Sequence, residues 1–469
     1  MVVSKATKAS NALFSIAKNT WGIGYKAAKY IYLGAIEPIL LYAAPIWAEA
    51  AQKVHIQRKL SKAQRIAALR ICRAYRTAPT SALLVIAGLL PVHIKAKMAA
   101  RIWNINNLGT SNYLCNTNKN NTMLSDLPEQ VKEDIKSYGI EVKDANSNMT
   151  VGYPTISSYT LPHDDTCDIS IYTDGSKNNE NVGAAFVLIN HQNGDTHKSA
   201  FKLGPHCSVP QAEILAITKA IDYVFTDWFP RNKTIIVYTD SITAIHYITG
   251  LRRRGDNVLR IHRHLASNTH NHNVHFKWVR GHSGVAGNEA ADSLAKSAAA
   301  SSLPSSYDKI PPSKIKYWNF QLAIHQWQQE WDSSITGRTT FNFIPNITQR
   351  LQWRHFSPSF AMTQLLTGHG NFKAYLKRFH ILEDNICQCD GTSIQDSSHF
   401  LFDCTLFNQN RDILIGSVLY AGFNWPCPFN VFLENKDIYY KLADFLSATA
   451  ALNPASSLHI ANNSVRNPD

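Results

Sequence analysis

The chain is poor in cysteine, has no long apolar run free of helix breakers, and carries no acidic residue at all from Ala51 to Ser125. Each shortage excludes something. Eight cysteines in 469 residues, five of them scattered at Cys72, Cys115, Cys167, Cys207 and Cys427, do not make a disulfide framework. No secretory signal pattern is read, so Asn-x-Ser/Thr triplets such as Asn120–Thr122 count as chance. The most apolar stretch, "YIYLGAIEPILLYAAPIWAEA", is interrupted by Glu37, Pro38 and Pro45, which favours buried, kinked helices over a membrane span. The missing acids leave residues 1–125 with 17 Lys+Arg against Glu37 and Glu49, a balance of +15 within a net charge of +13. The remaining residues therefore sum to −2. Such asymmetry points to a polyanion partner for the N-terminal part, most simply a nucleic acid. An anionic membrane surface is the competing reading; no membrane partner and no small-molecule cofactor are expected.

What is present reads as several packed domains. Hydrophobic residues make up 45% and aromatics 10%, enough for cores rather than general disorder. Residues 1–125 form a basic, mostly helical region: Leu60, Ala63, Ala67, Ile71 and Ala74 recur at helical spacing, while Arg58, Lys62 and Arg65 fall largely on other faces. Residues 126–165 read as a linker. From Asp168 the texture changes to short β-type runs, "ISIYTDG", "VGAAFVLIN" and "KSAFKLG", followed by the helical "VPQAEILAITKAIDYVFTDW". The continuous apolar run "TIIVYTD" suits a central strand, two helices and the strand "VHFKWV" follow, and "AGNEAADSLAKSAAA" closes the segment. The order β-β-β-α-β-α-α-β-α describes one α/β domain, residues 166–299, with a mixed five-stranded sheet and flanking helices. A Ser/Pro linker at 300–313, a helical region at 314–450 and a disordered tail at 451–469 complete the expected organisation.

Four acids sit at equivalent points of that domain. Asp174 and Asp240 end strands in "IYTDGS" and "VYTDS", Glu213 opens a helix in "PQAEILAI", and Asp292 lies in the first turns of the last helix. Strand ends and the helix starts beside them form one crevice edge in an α/β sheet. One such aspartate alone is ordinarily a cap or a turn residue. Four gathered together repel one another unless cations neutralise them, and hard oxygen ligands suit two Mg²⁺ ions, with Mn²⁺ able to substitute.

The blocks "YTDGS", "QAEILAI", "YTDS" and "WVRGHSGVAGNEAAD" resemble, in order, the four sequence blocks of type I ribonuclease H. The resemblance covers about residues 166–298 and implies a ribonuclease H-like fold. It also implies endonucleolytic cleavage of the RNA strand of an RNA–DNA hybrid, leaving a 5′-phosphate and a 3′-hydroxyl. By the same resemblance Asp174 bridges two metal ions, Glu213 and Asp240 bind metal near the scissile phosphate, and Asp292 holds the second ion. His282, on a glycine-flanked loop, shuttles a proton or aids product release, a task its pKa range suits. Asn288 touches substrate. Ser176, Asn178, Asn179 and Gln211 are candidates for contacts to 2′-hydroxyls. Arg252, Arg253 and Arg254 either grip phosphates or form a solvated basic turn.

The flanks resemble another context. "YLGAIEPILLYAAPIWAEA", "LSKAQRIAALRICRAYRT" and "SALLVIAGLLPVHI" are similar to the region after the reverse-transcriptase palm in LINE-type non-long-terminal-repeat retrotransposon polyproteins. This implies a thumb-like N-terminal region whose Arg58, Lys62 and Arg65 hold a nucleic-acid duplex through phosphates. The palm's paired-aspartate turn is absent, so no polymerase activity is expected of this chain, and a catalytically silent nucleic-acid-binding relic is the rival reading. The same family carries a small helical Cys/His domain after the ribonuclease H. Here Cys387, Cys389, His399 and Cys404 offer three thiols and an imidazole for a tetrahedral Zn²⁺. The one-residue gap between the first two cysteines is tight, and the alternatives are buried thiols or Cys427 as a replacement ligand.

Overall fold

The structure is a computed structural model and describes residues 2–15, 23–107, 126–141, 167–250 and 255–452. Arg252, Arg253 and Arg254, residues 108–125 of the predicted basic region, residues 142–165 of the predicted linker and residues 453–469 of the predicted tail lie outside the described residues. The chain divides into two compact units, Ile102–Trp318 on one hand and Met1–Arg101 with Asn319–Asp469 on the other.

The elements that matter here are labelled in chain order. They are α1 (Val54–Cys72), α2 (Thr80–Ala87), α3 (Glu129–Tyr138), β1 (Ile169–Asn178), β2 (Asn181–Asn190) and β3 (Thr196–Leu203). There follow α4 (Val209–Val224), β4 (Thr234–Thr239), α5 (Ile242–Thr249), α6 (Asp256–Ser267), β5 (Asn273–Trp278), α7 (Ala286–Ala300), β6 (Ser305–Tyr307), α8 (Pro312–Asp332), α9 (Phe360–Thr367), α10 (Lys373–Arg378) and α11 (Ser397–Phe402).

In the central unit β1, β2 and β3 form the antiparallel meander expected from their alternation, and β4 and β5 join parallel on the other side of β1. The sheet order is β5-β4-β1-β2-β3-β6. One face carries a core of Ile171, Phe186, Ile217, Ile221, Ile235, Val237 and Ile261. The helix α7 lies over β1 and β2, and small residues let it come close: a Cβ on Gly183 would sit 2.2 Å from the Ala295 carbonyl oxygen, and one on Gly287 2.2 Å from the Tyr172 ring. That ring is itself stacked on Tyr238, its partner in the β1–β4 register, at 4.8 Å.

Two features differ from the sequence expectation. The sheet has six strands, because Ser305–Tyr307, inside the stretch read as a Ser/Pro linker, pairs parallel with β3. A three-residue strand is too short for alternation to register in the sequence. Residues 126–141, read as linker, form α3, which buries Val131 and Ile135 one turn apart. Two apolar residues in a polar segment give too narrow a stripe to stand out. Beyond α3, Ile140 bridges Ile310, and the Glu141 N–H donates to the Ile310 carbonyl at 2.9 Å.

In the other unit, segments far apart in sequence share one hydrophobic core. Leu60, Ala67 and Ile71 of α1 and the buried Ala82–Ala87 of α2 pack with Trp327, Trp331, Phe343 and Leu365. Arg350, only 4% exposed, lies 4.1 Å from the Phe356 ring centroid and donates to Tyr25 Oη at 2.9 Å and to the Ile86 carbonyl at 2.5 Å. Thr363 Oγ1 donates to the Cys72 carbonyl at 2.7 Å. Among the described residues no single helix is long and apolar enough to cross a bilayer.

Candidate active site

The parallel register pairs Thr173 with Thr239, so Asp174, inside β1 rather than at its end as the sequence suggested, and Asp240, just past the end of β4, follow side by side. The helix α4 opens with a capping box, Ser208 with Gln211, and brings Glu213 to the same edge. Close approach is possible because residue 175 is glycine: a Cβ there would lie 2.6 Å from the Glu213 nitrogen. Oxygens of Asp174, Glu213 and Asp240 all come within 4.8 Å of one another. Asp174 and Glu213 are buried, Asp240 is half-buried, and Glu213 Oε2 accepts no hydrogen bond among the described residues.

Burial, followed by the neighbouring Asp174 and Asp240 carboxylates, raises the Glu213 carboxyl to about 9. Burial also raises Asp174 to about 6, helped by Asp240 and Asp292, while the Gly175 backbone N–H opposes the shift. A polar crevice that makes its own carboxylates hard to ionise is suited to a cation. The three-carboxylate group and its orphaned Glu213 oxygen fit a hard divalent ion.

Asp292 lies outside that tight group but near enough for its carboxylate to help raise the Asp174 carboxyl. It also pairs with Lys296 Nζ at 2.7 Å, a partner one helical turn away that the motif reading missed. His282 is exposed on the loop between β5 and α7 and has positive φ, +52°, as does Gly284 at +81°. The loop is drawn to the crevice at Gly281, where a Cβ would meet Asp240 Oδ2 at 2.7 Å. The Trp278 indole N–H, donating to the Asp240 carbonyl at 3.0 Å, fastens the end of β5 there.

The predicted nucleic-acid contacts fare differently. Asn288 is buried, with its Oδ1 accepting no hydrogen bond among the described residues, so it is not presented at the surface. Gln211 is also buried: its Oε1 accepts from the Ser208 N–H, and its Nε2 donates to Glu141 and to the Lys309 carbonyl at 3.1 Å each. Its candidacy as a substrate contact is corrected by this occupancy. Glu141, which nothing in the sequence singled out, also accepts from Tyr307 Oη at 3.1 Å. In the other unit Arg65 is committed to the α1–α2 turn, donating to Thr80 Oγ1 at 2.7 Å and to the Arg76 carbonyl at 2.5 Å. Arg58 and Lys62 are exposed.

That unit also brings Cys387, Cys389, His399 and Cys404 together, all ligand atoms within 4.8 Å of one another. Cys387 Sγ and Cys404 Sγ lie 3.6 Å apart, and Cys389 Sγ and His399 Nε2 3.2 Å apart. A tetrahedral zinc with ordinary bond lengths requires edges of about 3.8 Å between sulfurs and about 3.5 Å from sulfur to nitrogen. The tight Cys-x-Cys spacing is accommodated by the hairpin that follows it, closed by the Ile386–Ile394 bridge and by Gly391 at φ +68°. His399 is offered by the first turn of α11, capped by Asp396, which accepts from the N–H groups of Ser398 and His399. Cys427 is buried elsewhere and does not belong to the group.

The mixed sheet and its carboxylate crevice define the class of this unit: residues 166–300 match the RNase H family model. The chain thus carries a ribonuclease H domain. The chain is also similar to proteins of retrotransposable elements. A 115 kDa protein of the type-1 retrotransposable element R1DM of Drosophila melanogaster is 34% identical over 126 residues, 27% of this chain and 12% of that protein. The ribonuclease H of Bordetella avium is 29% identical over 146 residues, 28% of this chain and 91% of its own length. Among solved structures, RNase H1 of the archaeon Halobacterium salinarum NRC-1 aligns over 28% of this chain and 96% of its own, at 22% identity and a TM-score of 0.23. The chain spans 10% to 35% of the length of six R1 retrotransposon relatives that it matches.

Proposed function

We propose that the central unit hydrolyses the RNA strand of RNA–DNA hybrids, with divalent cations held by Asp174, Glu213, Asp240 and Asp292. The observation that carries this reading is the convergence of three carboxylates, one with an unpartnered buried oxygen, at the edge of the sheet. When bound, two such cations supply Lewis acidity at the scissile phosphate and offset the charge that the carboxylates bring. Asp174 and Asp240, fixed by neighbouring strands, set the position of the phosphate, and Glu213 orients the attacking water from the helix side. His282, free on its loop, gives a proton to the leaving 3′ oxygen or helps the cleaved strand depart. Lys296 holds Asp292 in place from the next turn of α7.

The Cys/His group would hold a structural zinc that ties the hairpin at 387–394 to α11, since four protein ligands leave no position for substrate. The basic face of α1, with Arg58 and Lys62, would grip nucleic acid through phosphates.

The test is a uniformly labelled RNA–DNA hybrid with Mg²⁺, given to the intact protein and to Asp240→Asn. Cleavage of the RNA strand by the intact protein alone is expected. Equal binding with no cleavage by either protein would leave a nucleic-acid grip and sink the enzymatic reading.

A further inference from the structure

Outside the carboxylate crevice, a cleft of about 480 Å³ opens between α1, α2 and α8 in the other unit. That volume lies in the range of small-ligand pockets, about 300–1,000 Å³. Arg58 and Lys62, one helical turn apart on α1, both line it and are both exposed. Neither makes an ion pair among the described residues. The sequence around them offers no acid from Ala51 to Ser125. The one carboxylate in the cleft, Glu330, is engaged with His93 Nε2 at 3.0 and 3.1 Å. Deeper in, the lining changes character: Leu84 and Trp327 are apolar and almost wholly buried, and Ser81 stands beside them.

A ligand matched to this cleft is anionic at one end and flat and apolar at the other. Two exposed cations with no ion pair among the described residues select a phosphate, and the edges of Leu84 and Trp327 that reach the cleft select an apolar ring. The volume admits one nucleoside with its phosphate but not a stacked base pair. We propose that the cleft seats one unpaired nucleotide of a single-stranded nucleic acid, its phosphate at Arg58 and Lys62 and its base against Leu84 and Trp327. This rests on the reading that the basic face of α1 meets nucleic acid. It changes the partner there from duplex backbone to single strand.

The experiment uses the full chain carrying Asp240→Asn, without chelator, so that nothing is cleaved and bound metal stays in place, and follows a labelled 15-nucleotide single strand by fluorescence anisotropy. Binding about tenfold tighter than that of the same strand made abasic is expected, since apolar contact to a base contributes on that scale. Arg58→Gln with Lys62→Gln, both at exposed positions, should lower the slope of log affinity against log salt by about 1.4, about 0.7 for each lost phosphate contact. Ser81→Trp, which fills the cleft, should remove the difference between base-bearing and abasic strands while keeping the salt slope. A strand carrying 5-iodouracil should cross-link to the peptide that contains Trp327.

Equal affinity for intact and abasic strands, with the salt slope still dependent on Arg58 and Lys62, would overturn the nucleotide seat and leave the phosphate grip standing. No loss of salt slope in the double variant would sink both. Cross-links confined to residues 167–300, or displacement of the strand by equimolar free nucleoside monophosphate, would also overturn the assignment.

Discussion

Replacing Glu213 by glutamine should stabilise the metal-free protein while abolishing its cleavage of hybrids. In the fold the carboxyl sits at about 9 against its ordinary value of 4.5, chiefly through burial. Because the folded value is raised, the folded state holds a proton that the unfolded chain releases. Stability from this group is therefore complete below about pH 4.5 and is lost progressively as pH rises towards about 9. At pH 7 the unfolded side chain is ionised, and folding must restore its proton against a gap of 2.5 pH units, about 3 kcal/mol at 1.36 kcal/mol per unit. Glutamine keeps the shape and needs no proton. In chelator at pH 7, Glu213→Gln should then raise the melting temperature of the central unit by roughly 6–12 °C, as about 3 kcal/mol does for a unit of this size. At pH 4 the two proteins should melt together. Adding Mg²⁺ should stabilise the wild type and leave the variant nearly unmoved, since binding to the native state adds stability only where the ligands exist. Thermal melts by circular dichroism across pH 4 to 8.5, with and without Mg²⁺, decide the matter. A variant no more stable than wild type at pH 8 in chelator would refute the reasoning, because the crevice would then impose no penalty on its carboxylates.

Other consequences can be checked alongside. Gly287→Ala puts a methyl group 2.2 Å from the Tyr172 ring, and should cost about 1–3 kcal/mol or more, read as a lower denaturant midpoint with an unchanged slope. Gln211→Ala should lower stability by about 1 kcal/mol through loss of the capping box and leave KM for hybrid unchanged; a KM effect alone would restore the residue as a substrate contact. Arg350→Met keeps the bulk but strips a donor from the Ile86 carbonyl and from Tyr25, at a cost of about 1–3 kcal/mol in urea melts. The purified chain should contain one zinc by elemental analysis, and Cys404→Ser or a strong chelator should release it and lower the melting temperature of the unit that holds it.

Much of the candidate site could be read from the sequence because its residues sit at places with local signatures. Asp174 and Asp240 follow apolar strand runs, and Glu213 comes three residues after a proline at a helix start; the parallel register then brings these points together. Cys387, Cys389, His399 and Cys404 cluster in sequence as well as in space. What escaped the reading has non-local causes. Gln211 is chemically a good partner for a sugar hydroxyl, and only the return of Glu141 and Lys309 onto the start of α4 takes it out of play. Asn288 matched a motif, yet α7 turns it inward. Helix α3 carries only two buried apolar residues, and strand β6 is too short to show alternation. The common core of the first hundred residues and the last hundred and fifty has no trace in either segment, since contacts such as Thr363 to Cys72 leave no local pattern.

That shared core has a consequence in time. A ribosome delivers residues 1–101 first, yet the side chains that complete their core belong to residues after 318. At about 5–20 residues per second, the intervening stretch takes roughly 10–40 s to appear. During that interval the ribonuclease H domain can emerge and fold, while α1 and α2 wait with apolar faces uncovered. The nascent chain therefore passes through a stage in which its most basic segment still lacks the side chains that complete its core.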